Sequence, residues 1–131
     1  MQLTDTSKSE RIMDTFHKMI HVAETYDNLP MKVSAFNKLA RVTGLMQGQF
    51  PEAEGHLREA ERLAMLCQDL PGLTELHMSY CAIRTISGDI EGALEHQRRA
   101  IQIGNETEAT ELRLFGMSHC AASLTYLTHF D

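Results

Sequence analysis

Apolar residues recur every three or four positions along most of the chain, which is the pattern of helices with one buried face. The first such stripe covers residues 12–23. Ser7 and Glu10 have the spacing of a capping box, which predicts that the first helix begins there. It is expected to end near Asn28, because Pro30 disfavours helical geometry in the residue before it.

Two further helices are predicted on either side of a glycine turn. The apolar spacing predicts a helix over residues 31–46, and Gly48 then allows a tight reversal. Pro51 is suited to the first turn of the third helix, where its missing N–H would have no partner in any case. The segment 69–72, with a proline and a glycine, is expected to end that helix.

Three more helices complete the prediction of an all-α protein with about six helices. The fourth covers residues 73–86, and Asp89 is a suitable N-cap for the fifth. Gly104 is expected to end the fifth helix. The sixth, over residues 107–128, is so rich in apolar residues that more than one of its sides is expected to be covered.

Residues 44–63 are echoed forty positions later by residues 84–103. Both segments have a glycine, an apolar residue two positions on, and alanines five and twelve positions on. The matching residues are Gly48, Phe50, Ala53 and Ala60 in the first segment and Gly88, Ile90, Ala93 and Ala100 in the second. Small residues at these places allow two antiparallel helices to cross closely. The echo therefore predicts a repeat architecture.

This glycine and alanine pattern resembles the tetratricopeptide repeat, in the long form of about 40 residues found in MalT-like bacterial regulators and in kinesin light chains. The resemblance implies a right-handed α-solenoid of antiparallel helix pairs. It divides one repeat domain, residues 1–131, into a half repeat at 9–28, repeats at 31–69 and 72–105, and a half repeat at 107–128.

By the same resemblance, the first helix of each pair lines a groove that accepts a peptide or an amphipathic helix. The implied lining residues are Lys38, Val42, Leu45, Met46, Met78, Ala82, Ile86, Phe115, Ala122 and Tyr126. The alternative is that the chain itself covers part of this surface. Residues of the sixth helix are predicted to support self-association or to be covered by a longer chain, namely Met117, Cys120, Leu124 and Leu127.

These features predict a non-enzymatic scaffold for protein or peptide partners. The alternative interpretation is a ligand-sensing or peptide-sensing domain of a bacterial transcriptional regulator. The formal charge of −6 and the absence of a basic run argue against a nucleic-acid partner. No apolar run in the sequence is long enough to span a membrane and the amino end is polar, so a cytoplasmic protein is expected.

Few residues suggest chemistry. Cys67, Cys81 and Cys120 are odd in number and lack metal-binding spacing, which predicts reduced thiols. His17 and His21 lie one helical turn apart, with Glu24 following on nearly the same face, so these three residues are the candidates for a metal site. Such pairs are usually solvated, and the sequence lacks catalytic and phosphate-binding motifs. We therefore predict no metal, no cofactor and no enzymatic activity.

Overall fold

The computed structural model describes residues 2–106, with side chains from Ser7 onward, and this part of the chain consists of helices and short turns without a strand. The helices are α1 (Gln2–Thr25), α2 (Leu29–Arg41), α3 (Phe50–Leu66), α4 (Leu70–Ser87) and α5 (Ile90–Glu106), and a π-helical segment (Val42–Met46) continues α2. The all-helical prediction is confirmed. The predicted sixth helix lies outside the described residues.

The chain forms two compact units that divide after Gln68. In the first unit α2 packs against both α1 and α3. In the second unit α4 packs against α5. We call α2 with α3 the first hairpin and α4 with α5 the second hairpin.

Each of the four turns between the described helices has a residue with positive φ followed directly by the residue that caps the next helix. The positive-φ residues are Asp27, Gly48, Gln68 and Gly88, with φ values of 53°, 69°, 54° and 94°. Three of the four caps carry an Asn or Asp side chain that accepts a backbone N–H three residues on, and these are Asn28, Asp69 and Asp89. The chain therefore reverses through one local geometry, and the predicted N-cap role of Asp89 is confirmed.

Three predicted helix ends are wrong. Ser7 and Glu10 lie inside α1, which begins at Gln2, so they do not form a capping box. The segment 69–72 starts α4 instead of only ending α3, because Asp69 caps the new helix and Pro71 lies in its first turn. Gly104 is buried within α5, which continues to Glu106.

The first hairpin has one residue more than the second between the cap of its first helix and the glycine of its turn. Asn28 and Gly48 mark this span in the first hairpin, and Asp69 and Gly88 mark it in the second. The π-helical segment takes up the extra residue, because the Gln47 N–H donates to the Val42 carbonyl five residues back, at 3.2 Å. α4 remains a regular α-helix over the matching span.

Alanine allows the helices of each hairpin to pack closely. Ala53 and Ala60 on α3, and Ala93 and Ala100 on α5, are completely buried. Leu39 of α2 and Ile83 of α4 are also completely buried. The small residues singled out from the sequence therefore lie in the core of each unit, as their spacing predicts.

Replacing Gln68 with glycine is expected to raise the free energy of unfolding by about 0.5–1 kcal/mol, since a side chain at positive φ is strained and glycine is not. Urea denaturation followed by circular dichroism would measure the change. The matched control is Gln102→Gly, because Gln102 is exposed within α5 and glycine there should lower stability by about 1 kcal/mol. A loss of stability in both variants would contradict the prediction.

Candidate functional site

The predicted lining residues of α2 and its π-helical extension form an exposed stripe with one exception. Lys38 is exposed, and Leu45 and Met46 expose 42% and 52% of their surface. Val42 is only 7% exposed, so it belongs mainly to the core of the first unit. The α2 stripe therefore consists of Lys38, Leu45 and Met46.

The predicted lining residues of α4 lie on one side of that helix. Met78, Ala82 and Ile86 are spaced four residues apart, which places them above one another on a helix. Met78 and Ala82 are half-buried, whereas Ile86 exposes 64% of its surface. These three residues make up the α4 stripe.

The two stripes share one feature next to their turns. Met46 and Ile86 each lie two residues before the positive-φ glycine of their hairpin, at Gly48 and Gly88. Both side chains are more than half exposed, so neither is needed to fill the core of its unit. A large apolar side chain is thus presented to solvent at the same place in both hairpins.

The remaining lining and self-association candidates lie outside the described residues. They are Phe115, Ala122 and Tyr126 for the groove, and Met117, Cys120, Leu124 and Leu127 for self-association. Both roles remain predictions from the sequence.

The three candidate metal ligands are exposed to solvent, and one of them forms an ion pair. His17, His21 and Glu24 are all exposed on α1, and the Glu24 carboxylate lies 3.2 Å from the Lys32 ammonium of α2. Within residues 2–106, no three His, Cys, Asp or Glu side chains are grouped so that they could hold a metal ion. Glu24 therefore supports the packing of α1 on α2, as one member of an ion pair.

His17 helps to lower the pKa of a histidine on α3, His56. The ring of His56 lies 6.2 Å from the ring of Phe36, measured between centroids. Partial burial lowers the pKa of His56, the nearby His17 lowers it further, and Glu52 opposes the shift. Side chains from all three helices of the first unit therefore meet here, although the sequence alone paired His17 with His21.

A second aromatic cluster occupies the second hairpin. The Nδ1 atoms of His77 on α4 and His96 on α5 are 3.0 Å apart, a hydrogen-bond distance. Tyr80 stacks on His96 with ring centroids 4.3 Å apart and planes 7° from parallel. Burial lowers the pKa of His77 to about 4, and the neighbouring His96 and Arg99 contribute to the shift. The pair therefore joins α4 to α5 at neutral pH.

Gln97 is a polar residue of the core that the sequence analysis did not predict. Its side chain is 2% exposed, and neither the oxygen nor the nitrogen of its amide has a hydrogen-bond partner in the structure as described. Leu57 occupies the matching place forty residues earlier and is completely buried. The sequence does contain a sign of this buried polar residue, because a glutamine interrupts the apolar stripe of α5.

The hydroxyl groups of two buried threonines, Thr43 and Thr74, are satisfied within their own helices. Thr43 donates to the Leu39 carbonyl at 2.8 Å, and Thr74 donates to the Leu70 carbonyl at 3.1 Å. Each hydroxyl thus bonds to the carbonyl four residues back in its own helix. The amide of Gln97 differs from these two hydroxyl groups, because its polar atoms are buried and have no partner in the described part of the chain.

Comparison with known proteins identifies no relative: no family model, no curated protein and no solved structure matches the chain. None of the helices within residues 2–106 combines the length and apolarity needed to cross a membrane. The candidate site is therefore defined by its own geometry, in which the apolar side chains of Leu45, Met46 and Ile86 reach solvent.

Proposed function

We propose that this chain is a non-enzymatic interaction module of the tetratricopeptide-repeat kind, which binds an amphipathic helix or peptide through the α2 and α4 stripes. The right-handed stacking of helix pairs expected from the resemblance is part of this proposal. The observation that supports it best is the exposed apolar residue at the same place in both hairpins, Met46 and Ile86.

The chemistry of the stripes suits a helix with an apolar face. Leu45 and Met46 of the α2 stripe present aliphatic and thioether groups, Ile86 of the α4 stripe presents an aliphatic group, and methionine adapts its shape to different partners. Helix recognition typically uses apolar anchors spaced three, four and seven residues apart, which match such a stripe. Lys38 adds a positive charge to the α2 stripe and makes no ion pair with another described residue.

The proposal predicts that Leu45→Glu combined with Met46→Glu weakens peptide binding by about tenfold or more. These half-exposed side chains would lose roughly 1 kcal/mol or more of apolar burial between them, and carboxylates would have to be desolvated. A display library of amphipathic helical peptides would supply ligands, and fluorescence anisotropy with the full chain would measure the dissociation constant of each enriched peptide.

The matched control is Met65→Glu combined with Leu66→Glu, because these α3 residues are also exposed and apolar but lie outside both stripes. Its affinity for the enriched peptides should equal that of the unmodified protein. Equal loss in both double variants would contradict the proposed surface. Failure of the library to yield any peptide that binds the folded protein would contradict the proposed function.

A further inference from the structure

The histidine pair of the second hairpin lies between two helices that have to stay together for the unit to fold. His77 is 4% exposed, and its Nδ1 faces the Nδ1 of His96 across α4 and α5 at 3.0 Å. We propose that the second hairpin is an acid-sensitive element that opens more readily than the first hairpin as the pH falls, because His77 keeps its place only as a neutral imidazole. This inference does not depend on the proposed binding function.

The geometry requires one donor and one acceptor at the contact between the two rings. A neutral imidazole has one donor nitrogen and one acceptor nitrogen, so one of the facing Nδ1 atoms donates and the other accepts. If both rings were protonated, two N–H groups would point at each other. His77 is the more buried ring and His96 is half-buried, so we assign the acceptor role to His77 and the donor role to His96.

The charged and titratable groups around the pair strengthen this assignment. Arg99 on α5 places a positive charge near His77 and disfavours a second one. His96 stacks on the uncharged Tyr80 of α4 and lies within electrostatic range of Asp89 at the start of α5. An added proton on His77 is therefore disfavoured both by burial and by the positive charge of Arg99.

The direction and pH range of the effect follow from proton linkage. The pKa of His77 is lowered from 6.5 to about 4 in the folded protein, so between these values the unfolded chain binds the proton more readily. Stability contributed by neutral His77 is complete above pH 6.5 and is lost as the pH falls toward 4. At pH 5 the equilibrium for opening would rise by up to about 30-fold from this group alone.

The first hairpin provides an internal comparison. Phe36 lies eight residues after the cap Asn28, as His77 lies eight residues after the cap Asp69. Phe36 contacts His56 as His77 contacts His96, but phenylalanine does not titrate. Burial lowers the pKa of His56 as well, so the first hairpin is expected to lose some protection in acid, but less than the second.

Hydrogen–deuterium exchange of the full chain at pH 7.5 and pH 5.0 tests the proposal, with protection factors corrected for the intrinsic exchange rate. Peptides of α4 and α5 should lose up to about 30-fold in protection, and peptides of α2 and α3 should lose less. His77→Phe, which copies Phe36, should reduce the loss in α4 and α5 to that of the first hairpin.

A second variant tests the same proposal if a phenylalanine cannot be accommodated at position 77. His77→Asn retains a hydrogen-bond acceptor for His96 and cannot titrate, so it should reduce the acid-induced loss in the same way. Equal loss of protection in the two hairpins of the unmodified protein would overturn the proposal. A full loss in α4 and α5 that persists in both His77 variants would also overturn it.

Discussion

Replacing Leu57 with glutamine is expected to lower the free energy of unfolding by about 3–5 kcal/mol, the largest effect of any substitution considered. Leu57 lies on α3, which packs against α2, and is completely buried. The substitution removes about 1.5–3 kcal/mol of apolar burial. It also buries an amide without a partner, which costs about 1–3 kcal/mol more. Urea denaturation followed by circular dichroism at pH 7.5 would measure the change.

Leu57→Met is the matched control, because methionine has nearly the volume of leucine and no hydrogen-bonding group that needs a partner. Its cost should stay below about 1.5 kcal/mol. If Leu57→Gln cost no more than Leu57→Met, the amide would have found a partner or reached solvent. The close packing of the first hairpin around position 57 would then be contradicted.

The reciprocal substitution in the second unit is expected to have the opposite sign. Gln97→Leu should raise the free energy of unfolding by about 1–3 kcal/mol, because it removes an amide whose two polar atoms are buried and have no partner among the described residues. The leucine copies the residue at the matching place in the first hairpin. Chemical denaturation under the same conditions would detect the shift in the urea midpoint.

The surface substitution Gln102→Leu is the control for Gln97→Leu. Gln102 is exposed on α5, so a leucine there should change stability by no more than about 0.5 kcal/mol. A loss of stability in Gln97→Leu would mean that the amide makes a contact in the folded protein. Glutamine would then be a structural residue of the second hairpin, and its equivalence with Leu57 would not hold.

The local features of the fold were largely predictable because they depend on neighbouring residues. Gly48 and Gly88 mark turns in which a positive φ is required, and Asp89 caps the helix that follows. Ala53 and Ala93 mark the positions at which helices approach closely. Each of these positions has a local structural requirement that few other residue types meet.

Other helix boundaries were predicted less well because several competing signals were present. Ser7 and Glu10 have the spacing of a capping box, but the helix extends through them. The proline at position 71 was interpreted as the end of one helix, whereas Asp69 and its bond to the Gly72 N–H make it the start of the next. A proline near a turn is compatible with both roles until the cap is known.

Within the candidate site, the solvent exposure of each side chain could not be predicted from the spacing of apolar residues along the sequence. Val42, Leu45 and Met46 were all predicted to line the groove. The π-helical segment changes the rotation per residue after Arg41. Val42 is buried, whereas Leu45 and Met46 are exposed. The extra residue that causes this is visible in the sequence only when the caps Asn28 and Asp69 are aligned.

The sequence by itself determined that the described chain is helical, where glycine permits its turns, and which small residues lie between paired helices. Those properties follow from backbone preferences and from side-chain volume at fixed spacing. Only the tertiary structure decided that His77 meets His96, that His17 lowers the pKa of His56, and that buried Gln97 has no hydrogen-bond partner within residues 2–106. Such contacts join residues on different helices, and their distances depend on how the helices pack, which helical periodicity alone does not specify.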